Sequence, residues 1–281
     1  MKKKLIWKVI LIIAIIGCIC GIGFMGWYFY QDYKAQKEYE RLQQMTAEPT
    51  EEPVTLEEIK AQEFTGERDG EAAVLPDDVF LDMENPINFK ELASINPDIY
   101  AWIRIPDTNI DYPIAQRAGD DAYYLHHDMY GQPRFAGCIY TEDCNAKDFS
   151  DPNTLIYGHN MKNKSMFQNL HLFRDEAFFN DNPYVYIYMP DRVLVYKVFA
   201  AYVYDDRHIM NSFDFKDKAV FEQYLSDVMN VRSMEKHLRE DVEVTVDDTI
   251  ITLSTCIGGY TNSRYLVQAV LIKDEASVPV N

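Results

Sequence analysis

The run from Val9 to Gln31 carries no charged residue and constrains this chain more than any other stretch. As a helix it is about 34 Å long at about 1.5 Å per residue, enough to cross a hydrocarbon core about 30 Å thick. Lys2, Lys3, Lys4 and Lys8 precede it and Asp32 ends it; Trp7 stands at one end, and Trp27, Tyr28 and Tyr30 at the other. Aromatic rings at both ends suit the two membrane–water interfaces, and the lysines predict that residues 1–8 stay in the cytoplasm. A cleaved signal peptide is the rival reading. Its apolar region is usually shorter and followed by small residues, a pattern that Trp27-Tyr28-Phe29-Tyr30 lacks. The prediction is a retained single-pass anchor over 9–31 in the cell membrane, with everything after it outside.

Two stretches of different composition follow. Residues 32–45 are highly charged and helix-prone, which predicts a juxtamembrane stalk. Ala47-Glu48-Pro49-Thr50-Glu51-Glu52-Pro53 has no core-forming residue, and acidity persists to Glu84, so 32–87 reads as stalk plus acidic linker. Leu56, Ile59 and Phe64 form one amphipathic fragment within it. The whole chain has 281 residues, a formal charge of -18 and a pI near 4.7. Phosphate neutralisation needs a basic surface, so nucleic acid is excluded as a partner.

From Asn88 the pattern changes to short apolar runs. Phe89 to Leu92 reads as a short helix. Strands are predicted at Tyr100–Ile105, Phe135–Thr141, Thr154–Tyr157, Tyr184–Met189, Val193–Tyr204, Val242–Val246, Thr249–Thr255 and Tyr265–Ile272. Helices interrupt them at Ser165–Leu172 and Lys216–Asn230, the latter with a stripe of Ala219, Val220, Tyr224, Leu225 and Val228. Many strands and few helices predict a closed or nearly closed β-barrel, a mainly β domain over 88–273 with a short tail at 274–281.

The chemistry gathers at the end of one strand. Cys256 closes the run Thr252-Leu253-Ser254-Thr255-Cys256, and Arg264 opens the next strand eight positions later. A Gly-containing loop between two apolar strands predicts an antiparallel hairpin, with thiol and guanidinium facing each other at its mouth. A thiol beside a permanent cation is suited to thiolate or oxyanion chemistry. By alternation Ile250, Thr252, Ser254 and Cys256 share a face that turns polar toward the cysteine, as a substrate groove would. The opposite face, Ile251, Leu253 and Thr255, is more core-like.

Of the five cysteines, Cys18 and Cys20 lie in the anchor. Cys138 and Cys144 are close enough for a disulfide, although Cys138 sits in an apparent buried strand; pairing stays open. Cys256 is left as a thiol in an exported domain. His159 follows a strand and a permissive Gly158, where an imidazole can serve a thiol. His126, His127, His171, His208 and His237 compete with it. No His-Glu-x-x-His or Cys-x-x-Cys spacing occurs, and no metal or cofactor is expected.

These segments resemble the sortases, most closely class B. The resemblance is carried by Asn96-Pro97-Asp98-Ile99-Tyr100-Ala101-Trp102-Ile103 with Ile105-Pro106, by Ile110-Asp111-Tyr112-Pro113-Ile114 and by Tyr123-Tyr124-Leu125. It continues through Tyr157-Gly158-His159-Asn160-Met161 with Met166-Phe167, and ends in Thr252-Leu253-Ser254-Thr255-Cys256 with Arg264. It covers roughly Phe89 to Lys273, and the helix at Lys216–Asn230 resembles the class B insertion. It implies an eight-stranded sortase barrel with His159, Cys256 and Arg264 in the catalytic positions and no cofactor. Cys256 would attack the carbonyl of a Thr in the C-terminal sorting signal of an exported protein. Arg264 and a nearby backbone N–H would hold the oxyanion, His159 would protonate the leaving amine, and a cell-wall amine of a peptidoglycan precursor would resolve the thioester.

Ser254 and Thr255 are candidate substrate contacts. Tyr260 and Asn262 either line the groove or form the turn. One departure from many class B relatives stands out: Ile257-Gly258-Gly259 follows the cysteine where they carry an acidic residue. A pilin lysine as the acceptor, a hydrolase that trims surface proteins, and an anchored, non-catalytic binding module are the competing readings.

Overall fold

The computed structural model describes residues 2–45, 85–259 and 262–277. It divides into two compact units, Met1–Glu48 and Pro49–Asn281. The first contains one helix, α1 (Lys2–Met45), which runs without a break through both the apolar run and the charged stalk. Within it Ile10–Trp27 has a mean hydropathy of 2.5 and no buried residue, so it is long and apolar enough to cross a membrane. Residues 46–84, most of the expected linker, and the amphipathic fragment at Leu56, Ile59 and Phe64 lie outside the described residues.

The second unit is a β-barrel. Its strands are β1 (Ile99–Arg104), β2 (Asp111–Ala115), β3 (Ile139–Thr141), β4 (Asn153–Tyr157), β5 (Tyr184–Tyr188), β6 (Arg192–Asp205), β7 (Lys236–Leu238), β8 (Ile250–Cys256) and β9 (Ser263–Ala276). They form one sheet in the order β5-β1-β2-β3-β4-β8-β9-β6-β7, and a further β5–β6 pairing closes it. Eight strands therefore make the ring, as expected, and β7 lies outside it, paired only to β6. Closure leaves the ring no unpaired edge. Two pairings in the ring are parallel, β2 with β3 and β4 with β8.

Helix α2 (Phe89–Ile95) precedes β1 and is capped by Asn88, whose side chain accepts from Glu91 N. Asn85 and Ile87 are already fully buried, so packing begins before the expected start at Asn88. A 3-10 helix at Phe167–Arg174 stands where an α-helix at Ser165–Leu172 was expected, and α3 (Glu176–Asp181) follows it. The insertion between β6 and β7 consists of α4 (Ile209–Ser212) and α5 (Lys218–Met229), the latter capped by Asp217. In α5 the buried stripe is Phe221, Tyr224, Leu225 and Val228, spaced i, i+3, i+4, i+7, while Ala219 is exposed.

The insertion covers the outer face of the barrel. Phe221, Tyr224, Leu225 and Val228 join Leu155, Ala200, Tyr202, Ile250, Leu266 and Val270 in one apolar cluster. This corrects the expected groove along β8, because Ile250 and Thr252 are fully buried there rather than exposed to substrate. Thr252 Oγ1 donates to Asn153 Oδ1 at 2.9 Å, and Gln268 Nε2 donates to Thr252 Oγ1 at 2.8 Å and to Tyr224 OH at 2.7 Å. Buried polar groups are tolerated when they bond one another, and this network ties α5 to β8 and β9. Only the far end of the β8 face, at Cys256, reaches solvent.

Other expectations change in detail. Of the predicted strand Phe135–Thr141 only Ile139–Thr141 pairs, because Gly137 adopts φ 58° and Phe135 is exposed. Residues 242–246 are not a strand; Val242, Val244 and Val246 instead pack against the cluster beneath the insertion. Strand β9 continues to Ala276, into the region expected as tail. Cys138 is buried and Cys144 exposed, and they form no disulfide.

Candidate active site

The β8–β9 register places Cys256 directly opposite Arg264, as the hairpin argument requires. Cys256 is exposed and Arg264 half-buried, with Nη1 donating to Ser263 O at 3.3 Å. On the other side of β8, the parallel register sets Tyr157 of β4 against Ser254. His159 follows just past the end of β4, between Gly158, whose N–H reaches Ser254 O at 3.2 Å, and Asn160, whose Nδ2 reaches Cys256 O at 2.9 Å. The Tyr157–Ser254 pair lies on the face that Cys256 shares by alternation along β8. Cys256 and Arg264 thus share one face and one level beyond the part that the insertion covers, and the chain carrying His159 leaves β4 beside them.

Gly158 makes this alignment possible. Its N–H donates to Ser254 O at 3.2 Å, and its carbonyl accepts from Thr255 Oγ1 at 2.8 Å. A Cβ at Gly158 would stand 2.5 Å from Phe167 Cγ and 2.6 Å from Ile139 Cδ1. Only glycine lets the backbone carrying His159 approach so closely. The backbone of His159 is fixed in turn by Phe167 N donating to its carbonyl at 3.0 Å.

The imidazole is oriented from two sides. His159 Nε2 lies 2.8 Å from Leu125 O, and since a carbonyl only accepts, Nε2 carries the hydrogen. Nδ1 is therefore the basic nitrogen of the neutral ring. The Phe135 ring stacks on it at 5.4 Å with 25° between planes. Burial lowers the imidazole below its ordinary value and nearby His126 acts in the same sense, while the bond to Leu125 opposes them. His159 is thus a neutral base at neutral pH.

Two further side chains reach the cysteine's own carbonyl. Asn160 Nδ2 donates to Cys256 O at 2.9 Å, and His171 Nε2 lies 3.1 Å from the same oxygen. Tyr140 of β3 stacks on Tyr157 at 5.3 Å. Its phenol is raised by burial and by the charges of Glu142, Asp121 and Cys256, and Arg264 pulls it the other way. Tyr157 OH lies 3.3 Å from His208 Nε2, which pairs with Glu142 Oε2 at 2.6 Å. Asn160 stood in the segment after β4 that carries the resemblance, without a role of its own, and nothing in the sequence marked Tyr140 or Glu142.

The remaining candidates fare differently. Thr255 is buried and its hydroxyl is bound to Gly158, so it stitches β8 to the chain after β4 rather than facing a substrate. Ser254 lies on the face of Cys256 but is almost fully buried. Tyr260 lies outside the described residues, and Asn262 is in the turn before β9. His127 stacks on Tyr123 at 4.0 Å, and His237 Nε2 lies 2.9 Å from Arg174 O.

The sortase domain model matches residues 103–272. Sortase B of Listeria monocytogenes is 35% identical over 185 residues, covering 65% of this chain and 73% of its own. Sortase B of Staphylococcus aureus is 30% identical over 188 residues, covering 66% and 75%. Among solved structures, Clostridium perfringens sortase B superposes with a TM-score of 0.60 at 34% identity, covering 66% of this chain and all (100%) of that one. A substrate complex of the Staphylococcus aureus sortase B gives 0.58 at 30% identity, covering 66% and 84%. A closed eight-strand barrel of this topology, a helical insertion after β6 and sequence identity across both make the chain a member of the sortase family, a transpeptidase of class B.

Proposed function

We propose that this chain is a membrane-anchored sortase that cleaves a sorting signal after Thr, carries the product as a thioester on Cys256 and transfers it to a cell-wall amine. The reading rests above all on Cys256 facing Arg264 at the ends of β8 and β9, with the segment His159-Asn160 after β4 held against the carbonyl of Cys256. In the first half-reaction Cys256 Sγ attacks the Thr carbonyl carbon while its proton passes to His159 Nδ1. The carbonyl electrons move to oxygen, where Arg264 and a backbone N–H stabilise the charge. Collapse breaks the C–N bond, and the amine leaves with the proton from His159. In the second half-reaction the acceptor amine attacks the thioester, His159 takes a proton from it, and Cys256 departs as the thiol.

An arginine keeps its charge throughout and presents a planar fork, so it suits the oxyanion and not the proton transfer. α1 holds the domain at the membrane, with residues 1–8 inside and the barrel outside, where exported proteins and wall precursors meet. Cys256→Ala, assayed on a sorting-signal peptide, is expected to abolish cleavage and thioester formation. Arg264→Lys is expected to lose turnover by about 10²-fold, the order of one oxyanion donor. Full activity in Cys256→Ala would overturn the reading.

A further inference from the structure

We infer that Asn160 and His171 are positioning residues that fix the oxyanion-binding N–H of Ile257 by clamping the carbonyl of Cys256. The inference rests on the acyl-transfer reading above and adds to it the residues that aim one of its donors.

The Cys256–Ile257 peptide is a rigid plane whose C=O and N–H point in opposite directions. Its carbonyl oxygen takes Asn160 Nδ2 at 2.9 Å and His171 Nε2 at 3.1 Å. A carbonyl cannot donate, so a nitrogen that bonds it must present a hydrogen, and the oxygen has two lone pairs to take both. The clamp assigns His171 the Nε2–H tautomer. Burial, and then the charge of Arg174, hold it below its ordinary value and keep it neutral. The two donors come from separate elements, the turn after β4 and the 3-10 helix at 167–174. Asn160 Nδ2 is also 3.0 Å from His171 Nε2, a hydrogen bond only in the other tautomer; with Nε2–H both groups turn to the carbonyl instead. The Tyr265 ring, 5.3 Å from that of His171, backs the clamp from β9.

On the opposite edge Ile257 N donates to Ser263 O at 3.4 Å, longer than an ordinary N–H···O bond. Arg264 Nη1 donates to that same carbonyl at 3.3 Å. Two donors therefore converge on one oxygen beside the nucleophile, each through a long and replaceable bond. An oxyanion formed on Cys256 would draw both, and Ser263 O holds their place at rest. The Ile257 N–H can point there only while the carbonyl behind it is held. The loop that follows, with exposed Gly258 and Gly259, supplies little restraint of its own.

The test uses the full chain in detergent with a sorting-signal peptide, and compares acylation with alkylation of Cys256 by iodoacetamide. Alkylation at an sp³ carbon forms no oxyanion, so it reports access to the thiol without reporting the N–H. Asn160→Asp replaces a donor with an acceptor of the same shape and is expected to lower the acylation kcat by about 10²-fold. KM and the alkylation rate should stay within about threefold. His171→Phe, which keeps a ring against Tyr265, should behave likewise, and His171→Gln, which restores an amide donor, should recover most of the loss. Wild-type acylation in Asn160→Asp would overturn the clamp, as would alkylation falling in step with acylation. Cys256→Ala is run beside them. Cleavage in that variant, or a wild-type chain inert on sorting peptides, overturns the acyl-transfer reading and the clamp with it, whereas an unaffected Asn160→Asp overturns the clamp alone.

Discussion

His159, the proposed base, is defined more by its surroundings than by its own side chain. The Leu125 carbonyl selects its tautomer, Phe135 covers its face, and burial holds it neutral. A base with a lowered value stays competent to a lower pH, because protonation that blocks it sets in only below that value. The acid limb of kcat/KM is therefore expected below pH ~6.5, the ordinary value for histidine. Phe135→Ala should expose the ring and move that limb upward, with the pH profile of peptide cleavage as the readout; a limb that stays put or moves down would contradict this. The pairing of Cys256 with Arg264 was legible in the sequence because a hairpin is a local device and the two residues flank one short loop. The clamp was not legible, since Asn160 and His171 bind a backbone carbonyl 96 and 85 positions away, and a carbonyl has no residue type to recognise.

At the scale of elements, the site depends on the parallel contact between β4 and β8. Alternation correctly grouped Ser254 with Cys256 but could not say what lies over that face. The insertion covers it as far as Thr252, and the sequence offered no sign of which strand α5 would meet. Phe221 was left out of the expected stripe and Ala219 put in, an error of phase at the first turn of α5. The β4–β8 contact itself makes a direct expectation. A methyl at Gly158 would enter the space of Phe167 and Ile139, both fully buried. Gly158→Ala should cost about 1–3 kcal/mol in denaturant unfolding, as overpacked cores do. It should also reduce turnover by separating His159 from Cys256. Unchanged stability and turnover together would show that the approach of the strands is looser than the geometry implies.

At the scale of the whole molecule, one helix long and apolar enough to cross a membrane precedes the barrel, and the proposed reading puts the barrel outside the cell. On that proposal the lysines before the helix and the barrel after it lie on opposite sides of the membrane. In intact cells a membrane-impermeant thiol reagent should label Cys256, while amine reagents of the same kind should leave Lys2, Lys3, Lys4 and Lys8 untouched. Labelled lysines with a protected Cys256 would reverse the orientation. Cys144 provides an internal control for the chemistry: it is also exposed, but burial of the thiol and the charge of Glu142 push it up to about 11. The most direct measurement of the central claim is intact and peptide-level mass spectrometry of the full chain mixed with a sorting-signal peptide and quenched in acid. The account expects one acyl adduct ending in Thr, located on Cys256 and removed by hydroxylamine. An adduct on Cys144, or cleavage of the peptide with no adduct on Cys256 at any time, would contradict it.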